Sequence, residues 1–472
     1  MQYAEALART VTRHSRVYLM KHRALTLSYL LFASVHAAGQ GSVLCIVADD
    51  VGIDRIAAYG GTALGLHPDP GKTPQIDRLA SRGVMFRNAW SSPVCSVARA
   101  AMLTGRFGFR TGVGDNIDVG HLGTAIQASE VCLPEILKLG TGGAYTSVGI
   151  GKWHLGTSLD GNAHPLSVGF DAHFGLKRGF GQGNYYRWRK LVNGTSYPTF
   201  RYATTDSVDD ALRAFEASTG PAFVWLSFNA PHRPFHRPPS RLHSFALSGP
   251  PDDTPVDHMK AMVEAMDTEI GRLLSSLPAG HADELTVIFI GDNGTSPYAT
   301  DAPFSPDHAK GTLFEGGIRV PLIIAGPTVV DPGRECHALV QALDLYSTIA
   351  ELTGVDPRQH LPAGHKLDSK SLCLLLSDPD LSSHKDYLYA EHFSPYGSGI
   401  TDSERFGVAI RNDRYKLIRR RVSPVHPPTQ EMFDLVLDPF EQIDLLLGPL
   451  TPDIDQVYLD LGAAFQRLIE SE

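Results

Sequence analysis

The residues best placed to do chemistry start in the segment Ser91-Ser-Pro-Val-Cys-Ser-Val-Ala-Arg-Ala-Ala-Met-Leu-Thr-Gly-Arg106, where a polar turn delivers Cys95 to the start of a helix. Ala98 to Leu103 are mostly good helix formers, so Cys95 is predicted in the first turn, among backbone N–H groups that have no intrahelical partner and favour an anion. Arg99 follows at i+4, on the same helix face. A side chain held at a helix start beside a guanidinium suits a nucleophile that attacks an oxyanion ester, or a group that binds one.

A second set of residues is scattered along the chain but shares one position. Asp49 and Asp50 follow the apolar run Val43–Ala48, Lys152 and His154 follow Thr146–Ile150, His232 follows Ala222–Phe228, and Asp292 and Asn293 follow Glu284–Ile290. In open α/β sheets ligands bind beyond the carboxyl ends of the strands, so these side chains are predicted to converge on one crevice. Asp49, Asp50, Asp292 and Asn293 are hard oxygen donors, which suits Ca²⁺, Mg²⁺ less well, and disfavours zinc. Two like charges ~4 Å apart repel by about 4 kcal/mol at an effective dielectric near 20, so three crowded carboxylates need a cation. Lys152 and His154 lie two apart in an extended segment and point to one side, which turns Trp153 to the core. Lys310 sits in a glycine-rich loop, Lys310-Gly-Thr-Leu-Phe-Glu-Gly-Gly317, before a strand. Arg99, Lys152 and Lys310 would offset the carboxylates and hold a tetrahedral oxyanion, while a histidine moves a proton near neutral pH.

Positioning these groups requires a scaffold of alternating strands and helices. A fifth strand is predicted at Val320–Ala325, and helices at about Thr73–Arg82, Ser129–Leu139, Ser207–Ser218, Val256–Leu277 and His337–Leu352. The pattern is that of an α/β protein with a large, mostly parallel sheet flanked by helices. From Tyr387 it changes to short pieces, Tyr387–His392, Phe406–Arg411, Tyr415–Arg420 and Met432–Leu435, and a closing helix near Asp453–Ile469, which predicts a smaller antiparallel unit. The Pro-rich stretch 424–428 reads as a surface loop. The division expected is an N-terminal extension over 1–38, a catalytic α/β domain over 41–385 and a C-terminal subdomain over 386–472.

Composition narrows the partners. The chain has 472 residues, 43% of them hydrophobic, and a net charge of −9 with no Lys/Arg-rich block, which excludes a nucleic-acid surface and leaves a small molecule or a glycan. At the N-terminus Lys21, His22 and Arg23 precede the apolar run 24–35 and the small-residue site Val35-His-Ala37, a secretory-signal pattern too short to span a bilayer, with Met20 as an alternative start. A secreted or periplasmic location is expected. The five cysteines show no metal-type spacing: Cys45 and Cys373 read as core thiols, and a Cys132–Cys336 bridge is compatible with export.

Six segments together resemble the type I sulfatases of the alkaline phosphatase superfamily: Ala48-Asp-Asp-Val-Gly52, the Cys95 segment ending at Arg106, Gly151-Lys-Trp-His-Leu-Gly156, Ala230-Pro-His232, Gly291-Asp-Asn-Gly294 and Lys310–Gly317. They occur in the family's order, and the likeness extends from about Gly41 to the C-terminal end. The resemblance implies an alkaline-phosphatase-like sheet, and one Ca²⁺ held by Asp49, Asp50, Asp292 and Asn293 with the side chain of residue 95. It implies that Cys95 is oxidised to formylglycine by a maturation enzyme. Arg99 and Lys152 would then hold the aldehyde hydrate, His154 would take its proton, and His232 and Lys310 would bind the sulfate and protonate the departing alcohol. One position departs from the family: Val97 stands where the modification signal carries Pro or, less often, Ala. The same residues also suit a phosphoester or phosphonate-ester hydrolase using unmodified Cys95, or a calcium-containing binding protein without turnover. For the leaving group, the Arg178–Lys190 region, with Gln182, Asn184, Tyr185, Tyr186 and Trp188, and the His232–His243 loop have the polar and aromatic character of a sugar or aryl pocket.

Overall fold

Val43–Ala48 (VLCIVA) is apolar on both faces, as a central strand covered by helices on both sides must be. In the computed structural model, which describes residues 41–60, 69–117, 125–180, 184–382, 384–395, 400 and 403–470, this segment is β1 and is wholly buried. The signal-like segment and Gln182 lie outside the described residues. The other strands of the large sheet are β2 (Val84–Trp90), β3 (Thr146–Lys152), β4 (Ala172–Leu176), β5 (Trp188–Val192), β6 (Thr195–Thr199), β7 (Ala222–Ser227), β8 (Thr286–Gly291), β9 (Leu322–Ala325) and β10 (Arg334–Gln341). Their order is β10-β2-β9-β8-β1-β7-β3-β4-β5-β6. The centre, β8-β1-β7-β3-β4, is parallel, whereas β9 runs antiparallel to both its neighbours and β5 and β6 extend one edge antiparallel.

Helices cover both faces: α1 (Pro74–Ser81), α2 (Cys95–Thr104), α3 (Leu133–Gly140), α4 (Ala203–Ala217), α5 (Pro255–Ser275) and α6 (Asp344–Leu352). Alternation along β1 sorts its side chains between two cores. Leu44, Ile46 and Ala48 pack with α1, α4 and α5 residues, and Val43, Cys45 and Val47 with α2, α3 and α6 residues. A second sheet, β11 (Leu388–Ser394), β12 (Arg405–Arg411), β13 (Tyr415–Arg421) and β14 (Thr429–Asp434), is antiparallel throughout, and the closing helix α7 (Pro452–Glu470) packs on it. Buried Lys416 on β13 reaches Glu315 (3.2 Å) and Glu441 (2.7 Å), tying this sheet to the loop that carries Lys310.

One expected element is corrected. The stretch predicted as helix over His337–Leu352 is divided: β10 occupies its first part, pairing in parallel with β2, and only Asp344–Leu352 is helical. A ladder partner far away in sequence overrode local helix propensity. All five cysteines are free thiols, so Cys132 and Cys336 form no bridge; Cys132 instead caps the start of α3. Cys45 is buried as expected, and Cys373 is partly exposed.

Candidate active site

The register of the central strands decides which distant residues meet. Ala48 pairs with Gly291, which sets Asp49 beside Asp292, and Ser227 pairs with both Val47 and Gly151, which sets Lys152 one step beyond. Gly151 has φ +85°, and a Cβ there would fall 1.9 Å from the Ser227 carbonyl oxygen, so the close approach of β3 and β7 requires glycine. Asp50 (φ 69°) and His154 (φ 60°) hold left-handed backbone conformations that cost on the order of 1–3 kcal/mol, a strain that the surrounding structure must impose. For His154 the restraints are hydrogen bonds from its N–H to the Lys177 carbonyl and from Ser96 Oγ to its carbonyl, both 2.8 Å.

Cys95 opens α2, as predicted, and every residue of that helix is buried. Its Sγ donates to Asp49 Oδ1 at 3.4 Å and lies 3.3 Å from Lys310 Nζ. Arg99, one turn on, donates through Nε and Nη2 to Asp292 Oδ2 (3.1 and 2.9 Å) and through Nη1 to the Lys152 carbonyl (2.8 Å) and to Ser227 Oγ. Lys152 Nζ donates to both oxygens of Asp49, at 2.9 and 2.7 Å, and Lys310 Nζ pairs with Asp50 Oδ1. The Asp50 N–H donates to Asp292 Oδ1 (3.0 Å) and Asn293 Nδ2 to Asp50 Oδ1 (2.9 Å). His232 Nε2 is 3.9 Å from Asp50 Oδ2, while its Nδ1 lies 2.7 Å from the Arg233 carbonyl. Trp153 turns into the core.

The folded geometry thus brings together the acids, cations and thiol predicted from sequence, and it amends the charge argument. Asp49, Asp50 and Asp292 are matched by Arg99, Lys152 and Lys310, so the carboxylates do not depend on a metal alone for balance. Burial would raise Asp49, but Lys152 first, then His232, Arg99 and Lys310, hold its carboxyl well below the usual range. Asp292 is raised, by burial and then by the Asp49 charge, against the pull of Arg99. Lys310 loses stability as a cation through burial but gains more from Asp50, and its pKa stands well above the ordinary lysine value. Burial, then Lys152 and Arg99, push His154 well below the ordinary histidine range, so it is a neutral base at physiological pH. Burial pushes the Cys95 thiol up to about 12.

The donor set fits a divalent cation. Ligand atoms of Asp49, Asp50, Cys95 and Asp292 lie within 4.8 Å of one another, and Asn293 Oδ1 is buried without a donor, an oxygen left over for a cation. Carboxylate and amide oxygens select a hard ion.

Sequence reasoning missed the groups that brace this set. Ser227 Oγ receives Arg99, Ser91 Oγ donates to the Asp292 carbonyl (2.6 Å), and Thr295 Oγ1 donates to Asp54 (2.7 Å) while accepting from the Gly52 N–H (3.2 Å), clasping the two acidic loops together. Small hydroxyl residues at a strand end or in loops give no periodicity by which to find them. Tyr185 is also a brace: it is buried, its hydroxyl donates to the Asn229 carbonyl at 2.5 Å, and the His232 carbonyl is 2.7 Å away.

Comparison with known proteins decides the family. The sequence model of the sulfatase family matches residues 42–355, the whole span that carries these groups. The chain belongs to the sulfatase family. The model for the C-terminal region of N-sulphoglucosamine sulphohydrolase matches residues 308–467, which include the small sheet. Among sulfatases of known name, the chain is 29% identical to mouse N-acetylgalactosamine-6-sulfatase over 71% of this chain and 66% of that protein, so it spans slightly under two thirds of that relative's length. It is 24% identical to the arylsulfatase of Klebsiella aerogenes over 72% of this chain and 93% of that one. The solved structure of Ps i-CgsB in complex with k-i-k-neocarrahexaose superposes with a TM-score of 0.71 at 24% identity, covering 91% of this chain and 93% of that one, which shows a shared fold. No helix among the described residues is long and apolar enough to cross a membrane.

Proposed function

We propose that this sulfatase hydrolyses a sulfate ester of a small molecule or glycan, with residue 95 as the nucleophile after conversion of Cys95 to formylglycine, and with one Ca²⁺ held by Asp49, Asp50, Asp292, Asn293 and residue 95. The observation that carries this reading is the Cys95 thiol itself. It sits at a helix start between Asp49 and Lys310, its sulfur among carboxylate oxygens, where a soft thiol is a poor ligand for the hard ion those oxygens select. This also weighs against a phosphoester hydrolase acting through unmodified cysteine. A pure binder has no use for the buried neutral base His154 beside three cations.

Formylglycine supplies a geminal diol, in which one hydroxyl attacks sulfur and the other expels sulfate. Ca²⁺ adds two positive charges to a set the protein already balances, making the crevice a receptor for anions. The chain's own residues do the rest. Lys152 and Arg99 orient the nucleophilic side chain, and His154, held neutral, accepts its proton. Lys310, which keeps its proton, binds the sulfate oxygens, and His232, half-buried at the mouth, binds sulfate and passes a proton to the leaving alcohol. By the same reading the first 38 residues export the chain to a secreted or periplasmic location, residues 41–385 form the catalytic domain and 386–472 a subdomain, and a maturation enzyme acts on Cys95 despite Val97.

The test is turnover of aryl sulfate and aryl phosphate by the purified protein and its Cys95→Ala variant, with the mass of the Cys95 peptide measured beside it. Conversion lowers that mass by about 18 Da. Sulfate turnover lost by more than about 10³-fold in the variant, with the converted peptide present, supports the proposal; a loss of only severalfold, or faster phosphate turnover, overturns it.

A further inference from the structure

Four residues at the carboxyl end of the large sheet carry buried polar atoms that have no hydrogen-bonding partner among the described residues: His154 (Nδ1) after β3, Arg178 (Nε and Nη2) after β4, Asn229 (Oδ1) after β7 and Asn293 (Oδ1) after β8. Three belong to residues beside or within the site already described. Arg178 does not. Its Nε and Nη2 are both buried and unsatisfied, and among the described residues no carboxylate lies within ion-pairing distance.

These two nitrogens form the side-on edge of a guanidinium, the edge that holds two oxygens of one anion. The chain uses it that way elsewhere. Arg87 grips Glu335 through Nε to Oε2 (2.8 Å) and Nη2 to Oε1, and Arg414 grips Asp434 through Nε to Oδ1 (3.1 Å) and Nη2 to Oδ2 (2.6 Å). Leaving such an edge buried without an acceptor costs more than leaving it in water, so its natural state is occupied.

The backbone places Arg178 at the same end of the sheet as the reacting centre. β4 runs parallel to β3, so residues beyond Leu176 emerge on the same side as Lys152 and His154. Lys177 accepts the His154 N–H. Two residues after Arg178, Phe180 packs against the ring of Tyr185 (centroids 4.3 Å apart), and Tyr185 is bonded to the Asn229 turn and lies within electrostatic reach of Asp49 and Asp50. Arg178 is therefore flanked by Lys177, which contacts His154, and by Phe180, which packs on the brace Tyr185.

We propose that Arg178 binds a second anionic group of the substrate, a carboxylate or a further sulfate carried by the leaving group, and so selects a doubly acidic saccharide over a neutral sulfate ester. This rests on the sulfate-ester reading above.

The experiment compares wild type, Arg178→Gln and Arg178→Lys on three substrates: 4-nitrophenyl sulfate, a monosulfated saccharide bearing a uronate, and a disulfated saccharide without carboxylate. The quantity read is the ratio of kcat/KM on each acidic saccharide to that on the aryl sulfate. Arg178→Gln lowers this ratio by about 10- to 100-fold, as loss of a charge-assisted bidentate pair requires, and Arg178→Lys recovers part of it. Whichever acidic saccharide shows the fall identifies the anion. An equal loss on all three substrates, or none on either acidic one, overturns the proposal. Calorimetric binding of the corresponding desulfated uronate saccharide and of the monosulfated product, to wild type and to Arg178→Gln of matched melting temperature, reads the same contact without turnover. Weakened binding of an acidic ligand by a protein that cleaves no sulfate would leave the anion site standing and remove only the reaction, and unchanged binding of both would remove the anion site.

Discussion

Replacing Arg99 with methionine tests the charge balance directly. Arg99 and Asp292 are both buried to within 1% of full occlusion, and their Nε and Nη2 contacts to one carboxylate oxygen are 3.1 and 2.9 Å. Removing one partner of such a pair strands the other, at a cost of about 3–5 kcal/mol. For a chain of this size the unfolding entropy is roughly 0.9 kcal/mol per kelvin, so the melting temperature falls by roughly 3–6 °C. The pH dependence gives the sharper readout. Asp292 is already raised by burial and by Asp49, and without Arg99 it rises further. A carboxyl whose folded pKa is raised costs stability above its unfolded value, because the unfolded chain ionises more readily, and that cost disappears as pH falls and the folded group takes up its proton. Calorimetric melting of wild type and Arg99→Met in EDTA should therefore show the larger deficit at pH 8 and a smaller one at pH 5.5, with Arg99→Lys in between. A deficit below about 1 °C at both pH values, or one that grows on acidification, would refute the role assigned to Arg99.

Two further outcomes follow from the same structure. Chelation should lower the melting temperature of the wild type, and Ca²⁺ at 100-fold its dissociation constant should return about 2.7 kcal/mol, with Mg²⁺ returning less; no response to chelator, or a preference for Mg²⁺, counts against the oxygen-donor site. Glu391, buried beside Tyr389 OH (3.1 Å) and the Phe109 N–H (3.2 Å), is pushed by burial up to about 8, so the native state keeps its proton at neutral pH while the unfolded chain ionises. Its cost grows as pH rises from the ordinary glutamate range towards 8, so Glu391→Gln should be more stable relative to wild type at pH 8 than at pH 5, and the reverse order in paired melts would show that the carboxylate form is the native one.

Most residues of the site were legible because Asp49, Asp50, Lys152, His154, His232, Asp292 and Asn293 follow strands whose apolar runs are visible locally, and because parallel strands aim their carboxyl ends one way, while Cys95 and Arg99 stood out by their helix start and Lys310 by its glycine-rich loop. What escaped was whatever needed a partner to define it. β2 contains Arg87 and Asn88, which break the apolar pattern; Arg87 is nonetheless buried because Glu335 on β10 meets it. β10 itself reads as helix until β2 is set beside it. The short strands β4, β5 and β6 carry too few residues for a period to emerge. Sequence showed that acids would gather but not that Arg99, Lys152 and Lys310 would each choose one of them, since that pairing is fixed by strand register and by the pitch of α2.

The occlusion of α2 governs the life history of the protein. With Cys95 only 1% exposed and its helix enclosed along its whole length, the sulfur is out of reach of any macromolecular catalyst once the sheet has closed over it. Whatever is done to that atom by another protein happens on a nascent or unfolded polypeptide, in competition with folding itself. On the proposed conversion, molecules that collapse first would be sealed as thiols, and a preparation made faster than it could be processed would be a mixture that only denaturation and a second passage could change.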